Sequence, residues 1–258
     1  MSNLTREFII GDIYHLFNRG VEKRQIFMDE SDRFRFVFCL YECNDANFVR
    51  MDRRIYDRRI RNMARFHLDQ LGQGETLPYS VQSAFQTKRE MLVEIIAFVL
   101  MPNHYHLIVR PLVEGGVSLF MKKLSNSYTG YFNDKYERKG MGALFQSAFK
   151  AVRVEGDGQF LHLAEYLFAN PVEIIDPEWK DRGAQDIKKA IEFVNNYKWS
   201  SYFDSIGIDN FPSVTARDFL WQVFGGKDGI SAGPQNVGQY VEEWIKNKQF
   251  LFSGLTME

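Results

Sequence analysis

Met101-Pro-Asn-His-Tyr-His-Leu-Ile-Val109 decides how this chain folds. Pro102-Asn103 is turn chemistry, and it separates two runs rich in apolar and β-branched residues: Leu92 to Val99 before it, and His104 onward after it. That arrangement predicts a β-hairpin. Side chains two apart on a strand share a face, so His104 and His106 stand together beside the turn while Tyr105 points the other way. Two adjacent imidazoles at the head of an apolar run are half of a metal site or a hydrogen-bonded pair at a strand end. Two ligands alone do not decide between these.

Working outward, residues 11 to 18 (GDIYHLFN) alternate toward a strand that stops at the turn signal Arg19-Gly20. Asp29-Glu30-Ser31-Asp32 resembles a capped helix start, and the apolar stretch through Tyr41 is long for a strand, so this segment is read as a helix. After the hairpin, Val117, Phe120, Met121, Leu124, Tyr128, Tyr131 and Phe132 recur at helical spacing. A fourth strand is expected over Ala143 to Val154. Gly156-Asp157-Gly158 then introduces a helix carrying the stripe Phe160, Leu161, Ala164, Leu167 and Phe168, which Pro171 closes. The order strand, helix, hairpin, helix, strand, helix predicts an α+β fold, an antiparallel sheet covered by helices. Residues 176–258 read as a mainly helical C-terminal region, clearest over Lys188 to Tyr197 and Val241 to Lys248, with glycine-rich joints at Gly225-Gly226 and Gly229 to Gly238.

At 258 residues the chain has ample material for a core. No apolar run approaches the roughly 20 residues of a membrane span, and the N-terminus MSNLTREFII lacks the pattern of an export signal. A cytoplasmic protein with no membrane partner is expected. Cys39 and Cys43, four apart in an apolar stretch, read as packing. The net charge of −1 hides an uneven distribution. Arg50, Arg53, Arg54, Arg58, Arg59, Arg61 and Arg65 crowd one segment, inside a stretch over 50–90 that reads as an insertion. Lys122, Lys123, Lys135, Arg138, Lys139, Lys150 and Arg153 populate another. Such stretches suit a phosphate backbone or a solvated helix face.

On the helix after Gly158, Tyr166 and Asn170 lie one turn apart on the same side, at the edge of the apolar stripe. If this helix crosses the sheet beside the hairpin, Asn170 can offer an amide oxygen as third ligand to His104 and His106. The Tyr166 hydroxyl, not necessarily buried, can then serve as a nucleophile beside a divalent ion that polarises a phosphoryl oxygen.

These residues resemble the single-tyrosine HUH transposases, and most closely the REP-associated tyrosine transposases. The shared motifs are His104-Tyr105-His106 within MPNHYHLIV, YHLFNRG at 14–20, LFQSAFKA at 144–151 and EYLFANP at 165–171, with WSSY at 199–202 familiar from long members. The resemblance implies a ferredoxin-like HUH-endonuclease topology in a domain over 1–175, followed by the region 176–258. It implies Tyr166 as the catalytic nucleophile, with His104, His106 and Asn170 holding Mg²⁺ or Mn²⁺. The implied activity is nicking and strand transfer of single-stranded or hairpin DNA through a 5′-phosphotyrosine, as a monomer or homodimer. Arg19, Lys122, Lys123, Lys150, Arg153, Arg53, Arg54 and Arg58 are the candidates for DNA backbone contacts on charge and position. Many relatives have arginine where this chain has Ala148, which puts a contact there in doubt. Two other readings stand beside this one. A domesticated relative could bind hairpin DNA without cutting it. A histidine-triad hydrolase would need a third histidine where the chain has Ile108.

Overall fold

The computed structural model describes residues 7–47, 89–138, 140–225 and 233–248. The arginine-rich insertion, with Arg53, Arg54 and Arg58, lies outside the described residues.

Strands β1 (Ile13–Arg19), β2 (Val93–Met101), β3 (His104–Pro111) and β4 (Lys150–Val154) form one antiparallel sheet in the order β2-β3-β1-β4. Helix α1 (Glu30–Glu42) connects β1 to β2, and helix α2 (Gly116–Lys135) connects β3 to β4. Two interleaved β-α-β units with this strand order make the ferredoxin-like arrangement, so the expected α+β class is borne out. The hairpin register sets Met101 opposite His104 and Val99 opposite His106, with a bulge between Ile95 and Ala97.

Each helix forms for a local reason. Asp29 accepts from the Asp32 backbone N–H (3.0 Å) and Asp32 accepts in return from the Asp29 N–H (3.3 Å), a capping box that starts α1. Lys135 Nζ reaches carboxylate oxygens of both Asp29 and Asp32 at 2.7 Å, tying the end of α2 to the start of α1. The two helices cover one face of the sheet, burying Phe36, Leu40, Phe120, Leu124 and Tyr128 against Leu16, Phe98, Tyr105, Leu107 and Val109. The free thiols Cys39 and Cys43 are buried in this layer, as expected.

The opposite face carries Ala97, Val99, Met101 and Ile108, and helix α3 (Gly156–Ala169) lies across it through Phe160, Leu163 and Leu167. The chain beyond Pro171 continues the same layer in helices α4 (Val172–Ile175), α5 (Trp179–Arg182), α6 (Ile187–Val194), α7 (Tyr202–Ser205), α8 (Asp218–Phe224) and α9 (Pro234–Asn247). Their Trp179, Val194, Leu220, Phe224, Val241 and Trp244 share one core with the sheet and α3. Among the described residues no helix is long and apolar enough to cross a membrane.

Two local expectations need correction. The fourth strand begins at Lys150, not near Ala143, because the Asn18 amide takes the Ser147 and Ala148 carbonyls at 2.9 Å and holds that segment off the ladder. Phe145 makes only an isolated bridge to Gly20. Gly238 is helical rather than a joint, since α9 starts at Pro234, the favoured first-turn position for proline. WSSY folds along the outer edge of β2. Leu100 N–H donates to the Trp199 carbonyl and Ser201 N–H to the Phe98 carbonyl, so that edge is covered instead of exposed.

Candidate active site

Alternation along β3 turns His104 and His106 toward α3, and both are buried at 5% exposure. The register places Arg19 opposite His104 and Phe17 opposite His106. His15 Nε2 lies 2.8 Å from His106 Nδ1, with the two rings stacked at 5.0 Å. Phe17 stacks on His15 in turn at 4.8 Å.

Hydrogen bonding fixes the nitrogen that His104 presents and orients the His106 ring. His104 Nδ1 is 2.6 Å from Asn103 Oδ1, which only accepts, so Nδ1 carries the proton and Nε2 the lone pair. The Asn103 amide is itself oriented by donating Nδ2 to the Lys23 carbonyl at 3.3 Å. With its Nδ1 engaged by His15, His106 is left with Nε2 buried and without a partner. Outer-shell partners of this kind set the tautomer of metal-binding histidines.

Burial, reinforced by the charges of Arg19 and Lys180, pushes His104 down to about 3, with the neighbouring Asn170 amide working the other way. Burial brings His15 down to about 4. His106 falls well below the ordinary histidine value through burial and the two neighbouring imidazoles. All three rings are therefore neutral at pH 7, the form in which imidazole binds a metal.

Asn170 closes α3 and is fully buried, and neither its Oδ1 nor its Nδ2 has a hydrogen-bond partner. Orphaned amide atoms in a native interior call for a missing partner. Among the described residues no group of three or more His, Cys, Asp or Glu side chains is placed to hold an ion. The Asn170 amide, which acts on the His104 ring, is a donor available beside the histidines. The residues present fit a divalent ion: two imidazole Nε2 atoms and an amide oxygen, with the unpartnered atoms explained.

Tyr166, one turn back, meets His106 edge-on with ring centroids 5.9 Å apart. It is more enclosed than the sequence suggested, at 5% exposure. Lys180 Nζ donates to its hydroxyl at 3.2 Å and forms an ion pair with Glu173 at 2.7 Å. Burial works against the Lys180 charge, but Tyr166 and Glu173 outweigh it and hold the ammonium above its ordinary value.

The structure thus brings His104, His106, Tyr166 and Asn170 together. An open pocket beside the histidines is lined by Phe17, Asn18, Arg19, Gln146, Ser147 and Lys150. Two of the predicted cations, Arg19 and Lys150, lie here, with the Lys150 ammonium 5.6 Å from the Phe17 ring centre. Arg153 follows on the same strand, half-exposed and paired with Asp12 at 2.9 Å. Lys122 and Lys123 sit on α2, which packs on the other face of the sheet, and Lys123 donates to the Asp45 and Asn47 carbonyls. They do not join this site.

His162, half-exposed, stands against Glu165 and the Trp244 ring. Tyr128 is buried in the α1–α2 layer. Neither approaches the histidines. Sequence reading missed His15, Asn103 and Lys180. The alternation of YHLFNRG could have put His15 on the face of Phe17, but nothing in WKDR marks Lys180.

Residues 73–170 match the family of IS200-like transposases, a match covering less than half of the chain. No protein of curated function matches the sequence. A solved structure of a REP-associated tyrosine transposase bound to a REP hairpin aligns with 84% of this chain and 92% of its own, at 16% identity and a TM-score of 0.42.

Proposed function

From the resemblance to single-tyrosine transposases, borne out over residues 73–170 by the IS200-like match, we propose that this chain is a metal-dependent strand transferase acting on single-stranded DNA at hairpin-flanked sites. Within the transposases we place it in the REP-associated group. The observation that carries the chemistry is the convergence of Tyr166 on two neutral histidines and the partnerless Asn170 amide. His104 Nε2, His106 Nε2 and Asn170 Oδ1 would hold Mg²⁺ or Mn²⁺; oxygen and imidazole donors suit Mn²⁺, and imidazole also suits zinc. When bound, the ion supplies Lewis acidity toward a phosphoryl oxygen.

The chain's own residues do the rest. Asn103 holds His104 in the tautomer that leaves Nε2 available, and His15 orients the His106 ring through its Nδ1. Helix α3 fixes Tyr166 and Asn170 on one side, so the nucleophile and the phosphate-orienting group arrive together. The Tyr166 oxygen forms a bond to phosphorus as the bond to the 3′ oxygen breaks. The proton given up by the phenol is balanced by the one gained at the freed 3′-OH. The 5′-phosphotyrosine retains the energy of the broken ester, so a 3′-OH can reverse the step.

The pocket beside the histidines offers the incoming strand an aromatic ring in Phe17 and two cations, Arg19 and Lys150, a combination that suits an unpaired base and its phosphate. In this reading residues 1–175 carry the chemistry in the cytoplasm, and the described helices that follow share a buried core with Tyr166. The protein works as a monomer or homodimer.

The test incubates the protein and Mn²⁺ with labelled single-stranded hairpins from beside its own gene and resolves the products on a denaturing gel. A protein-linked band that disappears in Tyr166→Phe, while hairpin binding is kept, is the expected result. Tight binding without an adduct at any hairpin would leave a non-cleaving hairpin-binding protein instead.

A further inference from the structure

We infer that Lys180 is a positioning and charge-stabilising residue for Tyr166, delivered to the nucleophile by the turn at Asp176; this rests on the strand-transferase reading above. The delivery is built in steps. Glu173 N–H donates to the Asn170 carbonyl (3.0 Å) and Ile174 N–H to the Pro171 carbonyl (3.0 Å), so the chain keeps a helical path past the ligand-bearing end of α3 and leaves it at Asp176. Asp176 then staples the turn, pairing with Arg182 at 2.6 Å and accepting the Gln185 N–H at 3.0 Å. Trp179, fully buried, anchors α5 in the core. Lys180 is thereby held against the site, its Nζ 3.2 Å from the Tyr166 hydroxyl and 2.7 Å from Glu173.

The geometry gives Lys180 a task that the metal ligands do not perform. A phenol attacking phosphorus gives up its proton and passes through an oxygen with anionic character. On the reverse step the same oxygen leaves as a phenolate. An ammonium within hydrogen-bond reach of that oxygen favours the charged form in both directions, through a charge-assisted bond. It also fixes the hydroxyl on the side of the ring facing α5. Glu173 holds the ammonium in place from its other side, so the cation does not swing toward the DNA backbone. No proton has to pass through Lys180. The phenol's proton leaves to solvent, the P–O3′ bond breaks, and the 3′ oxygen takes a proton to become the 3′-OH.

The experiment compares wild type, Lys180→Met and Lys180→Arg in single-turnover adduct formation with Mn²⁺ and the labelled hairpin, alongside hairpin affinity and Mn²⁺ affinity. Losing a charge-assisted hydrogen bond should slow adduct formation by about 10- to 100-fold in Lys180→Met. Both affinities should stay within about twofold, and Lys180→Arg should recover part of the rate. Retained hairpin affinity also reports that the variant folds. As a positional readout, the ring-carbon NMR resonance of ¹³Cζ-labelled tyrosine assigned to Tyr166 by Tyr166→Phe should move in Lys180→Met and not in the exposed control Lys188→Met. Wild-type adduct formation with a wild-type rate in Lys180→Met overturns the role of Lys180 and leaves the transferase reading standing. Absence of an adduct in wild type itself overturns the transferase reading, and this role with it.

Discussion

Strand β3 has two faces built from consecutive residues, and they obey opposite rules. Tyr105, Leu107 and Val109 point into the layer covered by α1 and α2, where the Tyr105 ring lies 4.8 Å from Phe36 and edge-on to Phe145. His104 and His106 point into the other layer, where buried polar atoms on His106 and Asn170 lack partners. The first face is close-packed, with the Tyr105 hydroxyl its one unpartnered polar atom on β3. The second leaves polar groups buried and converging. A protein selected only for stability would not keep three buried imidazoles and an orphaned amide within one cluster, because each costs desolvation free energy. The difference therefore separates the part of the strand that holds the fold from the part that serves a site.

The largest effect that would sharpen this contrast is on the packed face. Leu107 is fully buried in the α1–α2 layer, so Leu107→Ala should remove roughly 2–5 kcal/mol of stability through lost burial and a residual cavity. Urea unfolding measures it. Mn²⁺ affinity of the still-folded fraction should stay near wild type, since no side chain at the histidines contacts the cavity. A variant that lost metal affinity more than stability would show that the two faces are not separable.

A smaller effect is expected at Asn103, which the sequence presented only as turn chemistry. Its Oδ1 orients His104 from outside the ligand set. Asn103→Ala should leave the hairpin in place and weaken Mn²⁺ binding by roughly 10- to 100-fold, the usual consequence of losing an outer-shell partner. Titration calorimetry reads it directly. Unchanged affinity would mean that His104 is held by its surroundings and the tautomer argument is unnecessary.

Legibility follows the same division. Period-two alternation exposed β1, apolar runs on either side of turn chemistry exposed the hairpin, whose strands are buried on both faces, and period 3.6 exposed α2 and α3, while α1 was legible from its cap and length. His104, His106, Tyr166 and Asn170 were legible as spacings within single elements. What eluded the sequence were the contacts of His15 and Lys180, made between elements distant in the chain. His15 reaches His106 across 91 positions, and Lys180 reaches Tyr166 through the turn at Asp176. The over-long fourth strand has the same origin. Its alternating pattern is genuine, but the Asn18 side chain claims the carbonyls that a ladder would use.

A further prediction tests the histidine face through pH. An unfolded histidine titrates near 6.5, whereas folded His15 and His104 are held down at about 4 and about 3. Between these values the unfolded chain carries protons that the folded chain refuses, so stability falls as pH drops below about 6.5. Moving from pH 7 to pH 5.5 should cost roughly 1 kcal/mol for each of these rings, with His106 adding in the same direction. Glu165 opposes them. Burial raises its carboxyl to about 6 despite His162, so folding favours its protonation and recovers part of the loss. A net fall in the urea midpoint between pH 7 and 5.5 is expected, and it should shrink in His15→Phe, which removes one of the refusing rings while keeping an aromatic stack on Phe17. Added Mn²⁺ should steepen the fall, because protons and metal compete for the same nitrogens. A midpoint that is flat with pH and indifferent to Mn²⁺ would mean that these imidazoles are hydrated and accept protons in the folded chain. The two faces of β3 would then no longer differ in the way that marks one of them as a site.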